Sequence, residues 1–316
     1  MNFKNLMPEY IPEESKEFKY LFTVFTPVYN CQDTISRVHD SLINQTCKDF
    51  EWLIINDGST DATHDRIKSI QKNTPLNIRY IKNNINQHKM HCFMQAIPLA
   101  EGELFLTLDA DDECVENALE IFEKEYTNIP NDLKVTIAAV TGICLDQYGA
   151  LIGSRFPYQP FYSNTFKSNA IYKISGEKWG FTKTNVLRNL KYHNDFISNG
   201  FMPEGLIWNL LSKQGYTTKY INTPLRIYHT GLENSISSSG FEKTALGSAT
   251  QYIANFNWFF NSYFIKAPIF FLKNLYFLLR ISKYLDFNLK TYTTSIDSFV
   301  IKFFFVLLWP IRKFLK

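Results

Sequence analysis

The chain is poor in the features that settle a protein's class at a glance. It has only five cysteines in 316 residues, Cys31, Cys47, Cys92, Cys114 and Cys144. They are odd in number, scattered and without CxxC spacing. That argues against a disulfide framework or a zinc site and for reduced, mostly buried thiols in a cytosolic compartment. Charge of one sign is also lacking: a net +3 gives no electrostatic case for a nucleic-acid partner. No apolar run is long enough to cross a bilayer as a helix. The last one, FVIKFFFVLLWP, is interrupted by Lys302 and broken at Pro310. The first residues, MNFKNLMPEYIPEESKEF, have no apolar core, so no secretory signal is expected. Neither GxxxxGK[ST], GxGxxG nor GxSxG occurs, so phosphate-loop, dinucleotide-binding and hydrolase-elbow readings have no support.

What remains is apolar and ordered in pattern. A hydrophobic content of 45% supports a sizeable core, and the length suits one large α/β domain with an appendage. YLFTVFTPVYN, EWLIINDGSTD, NIRYIKN and ELFLTLD read as buried strands. TISRVHDSLINQT, DATHDRIKSIQKN and KMHCFMQAIPLAEG between them read as helices. Such alternation predicts a mostly parallel sheet with helices on both faces, and ligands at the carboxyl ends of its strands. VENALEIFEKEY is a further helix, KVTIAAVTGICLD a strand, and FMPEGLIWNLLSKQGY a loop feeding a helix that stops at Gly215. TTKYINTPLRIYHT is a final strand.

The boundaries predicted are a lead-in over 1–19, a catalytic-type α/β domain over 20–235 and a helical segment over 236–316. That last segment mixes aromatics with spaced lysines. It suits an interfacial position on a membrane; packing on the main domain or in a homodimer is the alternative.

LFLTLDADDE sets Asp109, Asp111, Asp112 and Glu113 behind an apolar strand. Like charges so close call for a cation. Asp109, Asp111, Glu113 and Glu120 match positions of a calcium loop, but Cys114 stands where glycine is needed. An aspartyl phosphatase of the haloacid-dehalogenase type would use Asp109 as nucleophile. A third reading has Asp109 and Asp111 pointing the same way from an extended segment, holding Mg²⁺ or Mn²⁺ with a diphosphate. A non-catalytic scaffold that keeps the fold also stands.

The stretch FTVFTPVYNCQDTISRVHDSLINQTCKDFEWLIINDGSTD, followed by NINQHKMHCFMQAIPLAEGELFLTLDADD, resembles family 2 glycosyltransferases of GT-A fold over about residues 20–230. The resemblance implies an inverting transferase that uses a nucleotide-sugar, with UDP the expected nucleotide. Its acceptor would be a glycan or lipid-linked glycan in surface polysaccharide synthesis, met at the cytoplasmic face of a membrane. It implies that Thr26, Pro27 and Tyr29 line the base pocket, that Asp57 bonds the nucleobase and that Asp109 lies near the ribose. Asp111 would bind Mn²⁺ or Mg²⁺, and Lys89 would help hold phosphate. The family's late Glu-Asp pair corresponds to Glu204 and Gly205, which makes Glu204 the base candidate and Asp195 the fallback. Trp179 and Gly180 fall on the acceptor side, and His229 is a further metal-ligand candidate.

Overall fold

A computed structural model describes residues 2–192, 201–231 and 241–315. The chain first pairs β1 (Glu9–Tyr10) with a distant short strand, then enters the main sheet with β2 (Tyr20–Val28). Then come α1 (Ile35–Ile43), β3 (Phe50–Asn56), α2 (Thr63–Asn73), β4 (Ile78–Lys82), α3 (Lys89–Leu99) and β5 (Gly102–Thr107). This alternation is the one the apolar periodicity predicts. β4, β3, β2 and β5 lie side by side and parallel.

Period-two packing explains the two cores. Val24, Trp52, Ile54, Leu104 and Leu106 face α1 and α2; Phe25, Leu53, Ile55 and Phe105 face α3. Gly102 sits where a Cβ would come within 2.2 Å of the Phe22 carbonyl carbon, so only glycine lets β5 approach β2.

The fold is the α/β one expected, and beyond β5 its sheet becomes mixed. β6 (Glu113–Cys114), α4 (Ala118–Thr127), β7 (Ile137–Asp146), β8 (Phe161–Ser163) and α5 (Thr165–Ala170) precede β9 (Lys178–Lys183). β9 inserts between β5 and β7, antiparallel to both; Trp179 and Phe181 are the two large apolar residues of KWGFTK, a weak signal for a strand. After α6 (Thr184–Arg188), β10 (Leu190–Lys191) closes on β1. α7 (Gly205–Lys213) leads into β11 (Thr217–Tyr228), parallel to β7 and antiparallel to β6 and β8. Gly215 has φ +88° just past α7, the left-handed stop expected of it.

The proposed boundary at 236 does not divide the core. α8 (Phe241–Tyr263), α9 (Pro268–Ile281), α10 (Leu289–Ser295) and α11 (Phe299–Leu308) share one hydrophobic cluster with α3, α7, Phe25 and Phe105. The lead-in is tied down as well. Phe3 is buried against Phe287 and Tyr292, and its N–H donates to Ser295 Oγ at 3.0 Å. Apolar residues scattered without period through a polar stretch were too weak a signal to reveal this.

Candidate functional site

The carboxyl ends of β2, β3 and β5 converge because Val28 pairs with Asn56 and Phe25 with Thr107. The turns after β2 and β3 are knitted together: Asn30 Oδ1 accepts from the Thr60 N–H at 2.9 Å, and Asn56 Oδ1 from the Ser59 N–H at 2.8 Å. Gly58 holds φ +71°, with Ile85 backbone 2.6 Å from where a Cβ would lie. The polar residues of NDGST thus build the floor of the cleft before any ligand is considered.

Asp57 is buried at this floor. Both its oxygens accept from the Gln87 N–H at 3.0 Å, and Oδ1 also lies 3.3 Å from Asn83 Nδ2. It therefore pins the 83–88 loop, and a nucleobase reaches it only by sharing or replacing those bonds. Of the other expected base-pocket residues, Tyr29 is exposed and Pro27 half-buried. Thr26 is fully buried and accepts from Trp52 Nε1 at 2.9 Å, so its side chain is a core contact and lines no pocket.

The pinned loop delivers Lys89. His88, a non-glycine residue at φ +72°, caps α3 and places Lys89 at its first position. Lys89 Nζ lies 2.7 Å from Asp109 Oδ1 and 3.1 Å from Glu204 Oε1. Burial works to lower the ammonium's pKa, but Asp109 and Glu204 hold it well above the usual lysine range. One cation thus bridges the acidic turn after β5 to the residue that caps α7.

The acidic turn is not extended. The Asp112 N–H closes on the Asp109 carbonyl at 3.2 Å, so the premise that Asp109 and Asp111 share one direction fails. Asp109 turns to Lys89, and its other oxygen lies 3.7 Å from Arg226; burial raises its pKa, but these cations bring it below the usual range. Asp111 forms no ion pair among the described residues, and burial followed by the charge of Asp109 pushes its carboxyl up. Its backbone carbonyl accepts from Arg37.

Arg226 is the residue that sequence reasoning missed. It lies on β11, its side chain only 6% exposed, with an Nη 2.7 Å from Asp112 Oδ2. A lone arginine within the apolar strand LRIY was the available signal. Burial, against the pull of Arg226 and the His229 N–H and with the push of Asp109 and Asp111, leaves the Asp112 carboxyl raised to about 7. A carboxyl whose folded pKa exceeds its unfolded 3.8 contributes stability that is full below that value and lost as pH rises through about 7. Without added divalent metal, the Tm difference between wild type and Asp112→Asn should therefore move in the variant's favour from pH 4 to 8. A flat difference would show that Asp112 ionises as in the unfolded chain.

Three other expectations change. Trp179 is 2% exposed, packs on Phe122 and donates from Nε1 to the Thr107 carbonyl at 2.6 Å. It is core and offers no face to a sugar. Gly180 is a packing glycine, with the Val140 carbonyl 2.0 Å from where a Cβ would lie. His229 Nε2 lies 2.8 Å from Glu113 Oε1, so that nitrogen is engaged by the turn and not offered to a metal at Asp111. Asp195 lies outside the described residues. The calcium-loop reading fails too: Glu120 accepts from Thr46 Oγ1 at 2.7 Å, and the segment before the turn is a strand.

Among the described residues, no three His, Cys, Asp or Glu side chains gather as a ready-made metal cage. The donor set still fits Mg²⁺ or Mn²⁺, which take one or two carboxylates and fill the rest with phosphate oxygens and water. Asp111 is half-buried and unpaired among the described residues, the kind of carboxylate a cation would relieve.

Residues 23–195 match the family described as Glycosyl transferase family 2. The chain is 25% identical over 219 residues to the GalNAc(5)-diNAcBac-PP-undecaprenol beta-1,3-glucosyltransferase of Campylobacter jejuni, covering 68% of this chain and 66% of that protein. It spans much smaller shares of several other curated relatives, such as 14% of a Pasteurella multocida chondroitin synthase. Among solved structures, S. aureus TarS 1–349 in complex with UDP-GlcNAc aligns with a TM-score of 0.54 at 16% identity, over 92% of this chain and 88% of that one. The Pyrobaculum calidifontis mannosyltransferase PcManGT, in complex with GDP-Man and Mn²⁺, aligns at 0.56 and 14%, over 97% and 88%. These likenesses establish the GT-A fold.

Proposed function

The chain belongs to glycosyl transferase family 2, and we propose that it is an inverting enzyme that moves a sugar from a nucleotide-diphosphate sugar to a glycan hydroxyl. The observation that carries this reading is Lys89, held between Asp109 and Glu204. It gathers the turn after β5, the loop after β4 and the cap of α7 around one space. The phosphatase alternative loses its ground, because the family match runs through the very aspartates it needed.

In this reading the nucleotide lies over the NDGSTD turn beside Tyr29 and Asp57, UDP being the expected one. Lys89 meets the diphosphate. Asp111 would hold Mn²⁺ or Mg²⁺ together with phosphate oxygens, and the metal when bound offsets charge on the departing diphosphate. Glu204 takes the proton of the acceptor hydroxyl as its oxygen attacks C1 of the sugar. The C1–O bond to phosphate breaks on the opposite face, so the configuration inverts and the nucleoside diphosphate leaves with the bonding pair. The lipid-linked glycan named for the Campylobacter relative supports a comparable acceptor here, in bacterial surface polysaccharide synthesis at the cytoplasmic face of the membrane.

Calorimetry with a panel of nucleotides and nucleotide-sugars, with Mn²⁺ or Mg²⁺ and with chelator, tests the donor side. One nucleotide diphosphate should bind in a metal-dependent way. Asp111→Ala should weaken it about 10- to 150-fold, the equivalent of the ~1.5–3 kcal/mol of a charged contact. Binding indifferent to chelator and to Asp111→Ala would remove the metal role, and no binding by a folded protein would favour a scaffold.

A further inference from the structure

No described helix is long and apolar enough to cross a membrane, yet the C-terminal helices leave a large apolar surface uncovered. Before and along α9, Ile265, Ile269 and Leu272 recur at helical spacing and are 93%, 61% and 58% exposed. On α11, Phe299, Phe303 and Leu307 do the same at 80%, 54% and 59%. α9 and α11 pack against each other, so the two stripes lie on neighbouring elements. Their opposite faces are spoken for: Phe271, Leu275 and Leu278 on α9, and Ile301 and Phe305 on α11, are buried in the shared core. Burial in the core therefore does not explain the outward stripes. Exposed apolar patches of this kind mark binding surfaces.

Charge selects the occupant. From Phe264 to Lys316 the chain carries nine Lys and Arg and two Asp, hence +7. The whole chain carries +3, so the remainder carries −4. The balanced total hides this segregation. Lys266, Lys273 and Lys313 are exposed beside the stripes. A second copy would bring +7 against +7, which disfavours pairing through this face. An anionic bilayer offers hydrocarbon for the stripes and negative headgroups for the cations.

We propose that the outer faces of α9 and α11 form a monotopic docking surface for a bilayer rich in anionic lipid. The surface stands on its own observations, and it deepens the lipid-linked acceptor reading by naming how the enzyme reaches that acceptor.

The full chain is tested by flotation with vesicles of phosphatidylcholine, and of phosphatidylcholine mixed with phosphatidylglycerol. The wild type should bind the anionic vesicles about tenfold or more tightly, with the preference shrinking as salt is raised. The double variant Phe299→Ser/Phe303→Ser should lose binding to both vesicles while keeping its circular dichroism and Tm, since both rings are exposed. Lys273→Glu/Lys313→Glu should lose the anionic preference. No binding to either vesicle, or binding unchanged in the phenylalanine variant, overturns the proposal. Self-association of the wild type that vanishes in that variant, without flotation, would give the surface to a second copy and overturn it too. Flotation needs neither donor nor acceptor, so its failure would leave the donor-site reading intact, and loss of nucleotide binding would leave this surface intact.

Discussion

Glu204→Gln should lower sugar transfer by about 10²- to 10⁴-fold, the range of a positioned general base, while donor binding stays within a few-fold. The substitution keeps the size of the side chain and an acceptor oxygen for Lys89 at the observed 3.1 Å. What it removes is the capacity to take a proton. Glu204 caps α7 without bonding to the helix's own N–H groups, so its carboxylate is not spent on the helix end. At the position of the family's second acid, Gly205, a Cβ would lie 2.2 Å from Gln251 Nε2, so a side chain there requires the Gln251 amide to move aside. Single-turnover transfer together with calorimetric donor binding separates the two effects. Transfer near the wild-type rate would move the base to another group, Asp195 first.

Arg226→Met should cost about 3–5 kcal/mol of stability at pH 8, the usual penalty for leaving one partner of a buried ion pair alone. Its guanidinium is held by Asp112 at 2.7 Å and approached by Asp109 at 3.7 Å, and burial lowers its pKa less than those two charges raise it. Removing it strands the Asp112 carboxylate beside Asp111 and leaves Asp109 with Lys89 alone. The double variant Arg226→Met/Asp112→Asn should recover part of the loss, since one stranded charge goes with it. Chemical denaturation of the four proteins of this cycle measures the coupling. Additive losses would mean that the pair contributes nothing as a pair.

The sequence disclosed the half of the molecule in which chemistry and regular structure coincide. β2, β3 and β5 are largely apolar runs closed by polar turn residues, and β4 is a shorter mixed one, so period and punctuation agree. Family resemblance put Lys89, Asp109 and Glu204 in one site, but the bridging by Lys89 of the two acids, 95 positions apart in the chain, was not legible in the sequence. Arg226 was hidden because a strand arginine looks like an edge residue until the sheet order puts β11 beside β6. Trp179 misled for the opposite reason: an aromatic in a polar stretch suits a sugar platform or a core equally, and only the insertion of β9 between β5 and β7 decides it. The C-terminal helices misled in part. Their inner faces are as apolar as their outer ones, and composition does not distinguish the two.

The seam between α8 and the segment holding Glu204 has a consequence for how such enzymes diverge. A Cβ on Gly247 would strike the Phe201 carbonyl at 2.1 Å, and the buried amides of Asn209, Asn255 and Asn274 link α7 to α8 and α9 at 2.8 and 2.9 Å. The helices that bear the outward apolar stripes are thus keyed to the segment that holds Glu204 by close backbone contact and a register of amides. Lineages cannot trade this C-terminal piece as a loose tail. A graft from a relative must bring matching small residues and amides, or it displaces Glu204 along with the surface it was meant to replace. In the proposed reading, membrane address and proton acceptor would then pass between descendants together.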